Sequence, residues 1–273
     1  MSNLDCVLFL QWALPRLRLR WPGFRRVRRQ VCKRLARRLG ELGLPDLDAY
    51  RAYLEAQPAE WCVLDTLCRV TISRFYRDGA VFAFLERAVL PVLARRAVAE
   101  GRRLAAWSAG CASGEEPYTL ALIWELALAP AFPGLELDIL ATDLDPALLE
   151  RAHAACYEAG SLRDLPEGLL RRGFEVEDGQ FHLRPGPARR VTLLRHDVRD
   201  GAPDGPFDLV LCRNLAFTYF ELDAQEEVCA ALAACLRPGG ALVIGAHESL
   251  PEATGALVSW LGARAVYERR AGR

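Results

Sequence analysis

The residues best suited to chemistry lie in the segment WSAGCASGEEPY, residues 107–118. Gly110 and Gly114 allow the backbone to turn and a ligand to approach it closely. Their spacing is not GxGxxG, and Glu115 and Glu116 would repel a pyrophosphate at the start of the following helix. The segment therefore predicts a site for a cationic nucleoside cofactor, a sulfonium carrying an amino group, and argues against a dinucleotide.

Two later segments carry further polar markers at predicted strand ends. In ATDLD, residues 141–145, Asp143 is placed to accept both ribose hydroxyls of a nucleoside. Asp145 precedes Pro146 and is read as the cap of the next helix, a role that Asp143 could also have. In FDLVLCRN, residues 207–214, Asn214 offers an amide to the cofactor or to the second substrate, although asparagine after a strand is often only a turn residue.

The elements around these markers predict an α/β fold. After residue 100, short apolar runs alternate with helical segments, which is typical of a doubly wound, mostly parallel sheet. Alternation around Asp178-Gly179 predicts a small β insertion at about 160–190. Before residue 75 the apolar spacing is helical. We therefore predict a helical N-terminal domain over 1–75 and a cofactor-binding domain over 76–273. The strands and helices predicted in the second domain are strands at 104–107, 135–141, 191–194, 207–212 and 241–245 and helices at 116–128, 146–157 and 225–236.

Composition narrows the function classes. The 273 residues are 52% apolar and carry 35 basic and 35 acidic side chains, so net charge points neither to nucleic acid nor to a membrane. The nine cysteines form no CxxC pair, which argues against a cysteine-built zinc site, and no metal is expected. Without a secretion signal or a membrane-spanning stretch of roughly 20 apolar residues, the cysteines are read as reduced thiols in a cytoplasmic protein.

WSAGCASGEEPYTLAL, ATDLDPALLERA and FDLVLCRN together resemble the CheR family of chemotaxis receptor methyltransferases, over nearly the whole chain. The resemblance implies a Rossmann-like class I methyltransferase domain that uses S-adenosylmethionine, with S-adenosylhomocysteine as product, to methylate glutamate side chains of receptors. By residue match it implies cofactor contacts at Thr71, Ser73, Arg77, Glu116, Asp143, Asp197, Val198 and Asn214, beside the turn residue Gly110. It also implies that Arg77 and Tyr219 lie at the methyl-transfer site.

Several residues depart from the family pattern on the acceptor side. Thr71 replaces an asparagine, one extra residue precedes Tyr219, and His247 stands where serine is usual. A glutamate acceptor is already ionised and needs only a group that aims it, a role that suits Arg77 and Tyr219. An amine or hydroxyl acceptor would need a base, for which His247 is the candidate. The alternatives are therefore a methyltransferase for a small molecule or nucleic acid, and a cofactor-binding regulatory module without turnover.

The N-terminal domain carries an unusual basic stretch. Residues 16–38 contain eleven Arg or Lys side chains and no acid. Such a surface attracts acidic partners over long range, although many charge runs are only solvated helix faces. We expect it to bind an acidic, receptor-like helix, with nucleic acid disfavoured because no aromatic platform accompanies the charge.

Overall fold

The computed structural model describes residues 3–252 and 255–270 and divides the chain into two compact units. One unit takes in the chain up to Ile72 together with Thr218–Ala224, and the other takes in Ser73–Phe217 and the chain from Gln225 onward. The helical unit contains α1 (Asn3–Ala13), α2 (Trp21–Phe24), α3 (Arg28–Leu42), α4 (Leu47–Ala56) and α5 (Glu60–Cys68).

The helices of this unit follow the apolar spacing of the sequence. Val31, Leu35 and Leu39 are the buried face of α3, which ends where Gly43 takes a left-handed backbone conformation with φ of 65°. Asp46 caps α4 by accepting a hydrogen bond from the N–H of Ala49. The basic helix α3 begins at Arg28, after the chain turns between α2 and α3.

The folded unit supplies acids that the basic stretch lacks in sequence. Glu60 is buried and accepts hydrogen bonds from Arg38 at 2.9 and 2.8 Å and from the Tyr50 hydroxyl at 2.8 Å. Arg18 pairs with Asp223 at 3.1 Å. Arg38 and Arg18 are therefore committed to folding contacts, and only part of the predicted basic surface is available to a partner.

The expectation of reduced thiols is wrong for one pair of cysteines. Cys6 on α1 and Cys32 on α3 form a disulfide, with their Cα atoms 6.0 Å apart. The packing of α1 on α3 brings them together across 26 residues of sequence, a separation that carries no disulfide signal of its own. The remaining cysteines, which all lie within the described residues, are free thiols.

The second unit is built on a seven-stranded sheet of order β6-β2-β1-β7-β8-β10-β9. Its strands are β1 (Leu104–Ala109), β2 (Leu137–Asp143), β6 (Val191–Arg195), β7 (Phe207–Leu211), β8 (Leu236–Val243), β9 (Leu257–Ser259) and β10 (Val266–Arg269). The first five are parallel, and β10 runs antiparallel to both of its neighbours. The predicted doubly wound, mostly parallel sheet is thus confirmed, whereas β9 and β10 had no predicted counterpart.

Helices cover this sheet and lead into the small insertion. They are α6 (Gly79–Phe84), α7 (Leu90–Ala99), α8 (Glu115–Ile123), α9 (Pro146–Ala154), α10 (Ala159–Leu162), α11 (Glu167–Gly173), α12 (Pro185–Ala188), α13 (Ala216–Tyr219) and α14 (Leu222–Cys235). The insertion is an antiparallel sheet of order β3-β5-β4, made of β3 (Cys156–Tyr157), β4 (Phe174–Glu177) and β5 (Gln180–Leu183). It begins before residue 160, because α9 ends at Ala154 and Cys156–Tyr157 is a strand where the sequence predicted helix.

A second boundary also differs from prediction. The sequence predicted a helix to residue 236 and a strand from 241, yet Pro238-Gly239-Gly240 between them lies inside β8. Phe207 pairs with Leu236 and Leu209 with Ala241, so the extra residues of β8 between Leu236 and Ala241 form a bulge. A Cβ on Gly240 would lie 3.0 Å from the carbonyl oxygen of Asp208, and glycine is therefore required for the close strand approach.

Candidate active site

Four strand ends bring the predicted site residues to one edge of the sheet. Because β1, β2, β6 and β7 are parallel, their carboxyl ends meet at that edge. The N–H of Gly110 donates to the carbonyl of Thr142 at 2.8 Å, and the N–H of His196 donates to that of Asp143 at 3.1 Å. Asp143 thus ends β2, Gly110 directly follows β1, and Asp197 and Asn214 lie two and three residues after the ends of β6 and β7.

The loop after β1 needs its glycines for steric reasons. Gly110 has φ of +78°, and a Cβ there would lie 2.5 Å from the side chain of Leu215. Gly114 has φ of +90°, and a Cβ there would lie 2.6 Å from the Tyr118 ring. Both backbone conformations are costly for other residues. The loop therefore follows a single tight path between β1 and α8.

Glu116 lies in the first turn of α8 and faces a buried arginine. Its Oε1 accepts a hydrogen bond from the Ser108 hydroxyl at 2.8 Å, and its Oε2 accepts one from Arg213 at 3.0 Å. Burial raises the pKa of Glu116, an effect that Arg213 and Ser108 oppose and the charge of Glu248 reinforces. Glu116 is thus held in place by the protein while its charge remains incompletely neutralised.

Glu115, the other acid of the motif, has a different environment. Glu115 is 2% exposed, and its Oε2 has no hydrogen-bond partner within the described part of the chain. Burial, followed by the charges of Asp143, Glu116 and Glu115, raises the pKa of the Cys111 thiol. Both Asp143 and Glu116 therefore lie close enough to Cys111 for their charges to act on it.

Asp143 ends β2 and is held by backbone N–H groups. Its Oδ2 accepts from the N–H of Ala112 at 2.9 Å and its Oδ1 from that of Asp145 at 3.0 Å. Burial raises its pKa, and these N–H groups oppose the rise. Asp145 caps α9 by accepting from the N–H of Ala147. The two aspartates thus have distinct roles, and Asp143 is the carboxylate at the sheet edge.

Asp197 and Val198 follow β6 in a short 3₁₀ turn, Val198–Asp200. The carboxylate of Asp197 already pairs with the Arg199 guanidinium, at 2.7 Å for the shortest contact, and caps the turn through the Arg199 N–H. Val198 is buried. A cofactor contact at Asp197 would therefore have to compete with Arg199, and both residues remain predictions.

Asn214 is fixed from two sides after β7. Its backbone is left-handed, with φ of 56°, and its N–H donates to Glu248 Oε2 at 2.8 Å. The N–H of Gly245 donates to the same oxygen at 2.6 Å. A Cβ on Gly245 would lie 2.5 Å from Asn214 Nδ2, so the amide packs directly against that glycine. His247, the alternative base, is exposed in the same loop.

Arg213 was missed as a site residue although it stands inside a quoted motif. It is 7% exposed, and besides Glu116 it donates to the carbonyl of Arg77 at 2.6 Å and to Asp78 Oδ2 at 2.9 Å. Its guanidinium carbon lies 4.8 Å from the centre of the Phe82 ring. The signal that could have found it is an arginine directly after the apolar run 209–212, where a charge requires buried partners.

The remaining predicted residues are distributed over both units. Thr71 belongs to the helical unit and Ser73 to the sheet unit, in a stretch without regular secondary structure. Tyr219 belongs to the helical unit, where its ring packs edge-on against Phe24 at 5.1 Å between centroids and its carbonyl accepts from the N–H of Arg20. The roles predicted for Thr71, Ser73 and Tyr219 remain predictions.

The groups at the sheet edge fit the predicted cofactor. Asp143 offers a carboxylate that could accept hydrogen bonds from ribose hydroxyls, and Glu116 offers a partly neutralised anion that could bind a cationic amino group. Within residues 3–252 and 255–270, no three His, Cys, Asp or Glu side chains cluster in a way that could hold a metal ion. In the same residues no helix is long and apolar enough to cross a membrane.

Comparison with known proteins identifies the family. The family described as CheR methyltransferase, SAM binding domain, matches residues 71–263. The chain is 33% identical over 186 residues to a chemotaxis protein methyltransferase of Listeria innocua, covering 68% of each chain. It is 32% identical over 233 residues to that of Klebsiella aerogenes, covering 82% of this chain and 77% of the relative.

A third relative is much longer. An uncharacterized 104.1 kDa protein of Rhodobacter capsulatus is 36% identical over 221 residues, which cover 81% of this chain but only 23% of that protein. The extent of the family match and the identity to these relatives lead to one conclusion. The chain belongs to the CheR methyltransferase family and carries its S-adenosylmethionine-binding domain.

Proposed function

We propose that this protein transfers the methyl group of S-adenosylmethionine to a glutamate side chain of a protein. The observation that carries the proposal is the arrangement at the sheet edge, where Arg213 connects the Glu116 carboxylate to the turn that carries Arg77. Glu116 and Asp143 would hold the cofactor, and the chemotaxis methyltransferases among the relatives support a carboxylate acceptor.

The cofactor would supply an activated methyl group on a sulfonium. Its displacement by a carboxylate oxygen breaks the S–C bond, forms an O–C bond and leaves a neutral thioether, with no proton to remove. The protein therefore has to align the acceptor and shield the site from water, and it needs no general base. Arg77 would aim the acceptor carboxylate by charge-assisted hydrogen bonding, with Tyr219 as a second donor.

Label transfer tests the proposal. Labelled S-adenosylmethionine is added to cell lysate with the purified protein, and the labelled species are separated. We expect label on protein that is released by mild base, as a glutamyl methyl ester is. Base-stable label, or label only in RNA or in the small-molecule fraction, would instead favour the alternative acceptors. Binding of S-adenosylhomocysteine without any transfer would indicate a regulatory module.

Arg77→Ala should lower the transfer rate by at least about 100-fold, because a misaligned acceptor loses the advantage of orientation. The fold should persist, since the contact that Arg77 makes with Arg213 uses its backbone carbonyl. Arg171→Ala is the matched control, since Arg171 is exposed and pairs only loosely with Glu167 at 3.4 Å. Full activity of Arg77→Ala would remove Arg77 from the transfer site.

We further propose that the helical unit binds an acidic partner through the exposed part of α3 and the residues before it. Arg25, Arg26, Arg29 and Lys33 are exposed, and Arg29 and Lys33 lie one helical turn apart. Reversing both charges (Arg29→Glu with Lys33→Glu) should raise KM for a protein acceptor and leave kcat unchanged. High salt should raise the wild-type KM in the same way. An unchanged KM would exclude this surface.

The predicted domain assignment, with partner binding in 1–75 and methyl transfer in 76–273, is part of the same proposal. So is a cytoplasmic location. Cell fractionation tests it: the protein should be recovered with cytosolic marker proteins, and recovery from the periplasm or the medium would contradict the proposal.

A further inference from the structure

The turn that precedes α6 has an unfavourable backbone. Tyr76 and Asp78 both have φ of 58°, in the left-handed region that non-glycine residues rarely adopt. Arg77 lies between them. Because such conformations persist only when the surroundings impose them, the position of Arg77 depends on whatever holds this turn.

Two side chains from the sheet unit hold the turn. The Thr119 hydroxyl accepts a hydrogen bond from the N–H of Tyr76 at 3.0 Å. Arg213 donates to the Arg77 carbonyl and to the carboxylate of Asp78. Asp78 stands at the start of α6 but makes no side-chain capping bond there, so its carboxylate serves the arginine instead of the helix.

The same guanidinium also binds Glu116. Its Nη1 donates to Glu116 Oε2, while its Nη2 makes both contacts to the turn. Its side chain is 2% exposed, so solvent cannot replace any of these partners. We propose that Arg213 is a positioning residue that holds the Glu116 carboxylate and the Arg77 turn in fixed relation, and so aligns cofactor and acceptor.

An ordinary structural ion pair provides the comparison. Arg190 also pairs with two carboxylates, Glu125 at 3.0 Å and Glu136 at 2.7 Å, but it stands directly before β6, at the opposite edge of the sheet. Loss of either arginine would cost stability. Only the loss of Arg213 should alter the site.

The first test measures the affinity for S-adenosylhomocysteine between pH 5 and 8 by calorimetry. Among the described residues, the groups that face Glu116 include Arg213, Ser108 and Glu248, and the thiols of Cys111 and Cys212 lie near it. In Arg213→Met the carboxylate loses the cation that pairs with it, so the pH at which affinity falls should shift upward. Arg190→Met should keep the wild-type midpoint. Arg213→Lys retains a positive charge and should keep a midpoint near that of wild type.

The second test separates the turn from the cofactor. Asp78→Gly accepts the left-handed backbone but removes the carboxylate. We expect faster amide hydrogen exchange at residues 75–78, a kcat lower by about tenfold or more, and a cofactor affinity within about twofold of wild type. If Arg213→Met does not fold, Arg213→Lys and Asp78→Gly carry the test. Unchanged exchange and kcat in Asp78→Gly, or an unmoved midpoint in folded Arg213→Met, would overturn the proposal.

The alignment role rests on the proposed transfer function, yet the two can fail separately. Binding and hydrogen exchange need no methyl acceptor. If the wild type methylates no glutamate but Arg213→Met shifts the binding midpoint and loosens the turn, the proposed acceptor is wrong and the role of Arg213 stands. If the wild type methylates glutamate and neither readout moves, only the role of Arg213 is wrong.

Discussion

The two edges of the parallel sheet use similar residues for different purposes. Strand β7 and the three residues after it connect them, with Asp208 at the amino edge and Arg213 and Asn214 at the carboxyl edge. Each edge contains a carboxylate paired with an arginine, fully buried at the amino edge (Asp208) and partly buried at the carboxyl edge (Glu116). The edges differ in how completely arginines and N–H donors of the protein compensate the negative charge of the carboxylates.

At the amino edge the charge is matched fully. Asp208 is 2% exposed and accepts hydrogen bonds from Arg102 at 2.7 Å and from the N–H of Ala105 at 2.9 Å. The Nε of Arg237 lies 3.8 Å from Asp208 Oδ1. A small cleft of about 200 Å³ borders this cluster and Gly239. Its arginines are engaged with neighbouring carboxylates and carbonyls, which indicates a structural network.

At the carboxyl edge the matching is incomplete. Asp143 is held by backbone N–H groups, and Glu116 shares a single arginine with Asp78. Burial raises the pKa of both Asp143 and Glu116. A carboxylate buried without full compensation is costly unless a ligand completes it. The comparison teaches that the degree of compensation, and not the presence of a buried ion pair, marks the functional edge.

The largest effect is expected at the structural edge. Asp208→Ala leaves Arg102 buried without its main partner and should lower the free energy of unfolding by about 3 to 5 kcal/mol. Denaturant titration measures the loss. The protein that remains folded should bind S-adenosylhomocysteine with wild-type affinity. A large loss of affinity would break the proposed division between the edges.

Asp143→Ala should show the reverse pattern. Removing an acceptor of two charge-assisted hydrogen bonds should weaken cofactor binding by about 3 kcal/mol, roughly 150-fold. The free energy of unfolding should fall by about 1 to 2 kcal/mol, less than in Asp208→Ala, because the N–H groups of Ala112 and Asp145 lose their acceptor while an unfavourably buried charge is removed. Calorimetry and denaturant titration on the same sample measure both. Unchanged affinity would contradict the role of Asp143.

Gly245→Ala sharpens the comparison within the carboxyl edge. The added methyl would meet Asn214 Nδ2 and Glu248 Oε2 at 2.5 and 2.7 Å and should displace the amide. We expect a roughly tenfold loss of transfer rate and a destabilisation of about 1 to 3 kcal/mol. Gly168→Ala is the control, because a Cβ there meets nothing within 4 Å. Equal effects of the two substitutions would indicate that Asn214 has no special position.

The smallest effect is a pH dependence of binding. If ionised Glu116 and Asp143 hold the cofactor, affinity is full above their pKa values in the free protein and is lost as pH falls through them. Because burial raises both pKa values, the loss should begin at a higher pH than for an exposed carboxyl group, which titrates near 4.3. Calorimetry from pH 7 downward measures the onset, and constant affinity to pH 4.5 would exclude this dependence.

Much of the fold was predictable because the apolar period is a local signal. The three-to-four spacing of Val31, Leu35 and Leu39 predicted a helix face, and the short apolar runs predicted a parallel sheet. The antiparallel strands β9 and β10 were not predicted, because strands of three and four residues are too short to show an alternation of apolar and polar side chains. The bulge at Pro238-Gly239-Gly240 was also missed, since the same residues signal a turn when no partner strand is known.

The sequence by itself determined the family, the cofactor and the residues that end neighbouring strands, because strand ends of a parallel sheet share an edge whatever the details of packing. Only the tertiary structure decided which of these side chains have partners. In the folded protein, Arg213 donates hydrogen bonds to Glu116 and to the carbonyl of Arg77. Asp197 pairs with Arg199, and Cys6 forms a disulfide with Cys32. Such pairings depend on distances between residues far apart in sequence, which residue type and spacing do not encode.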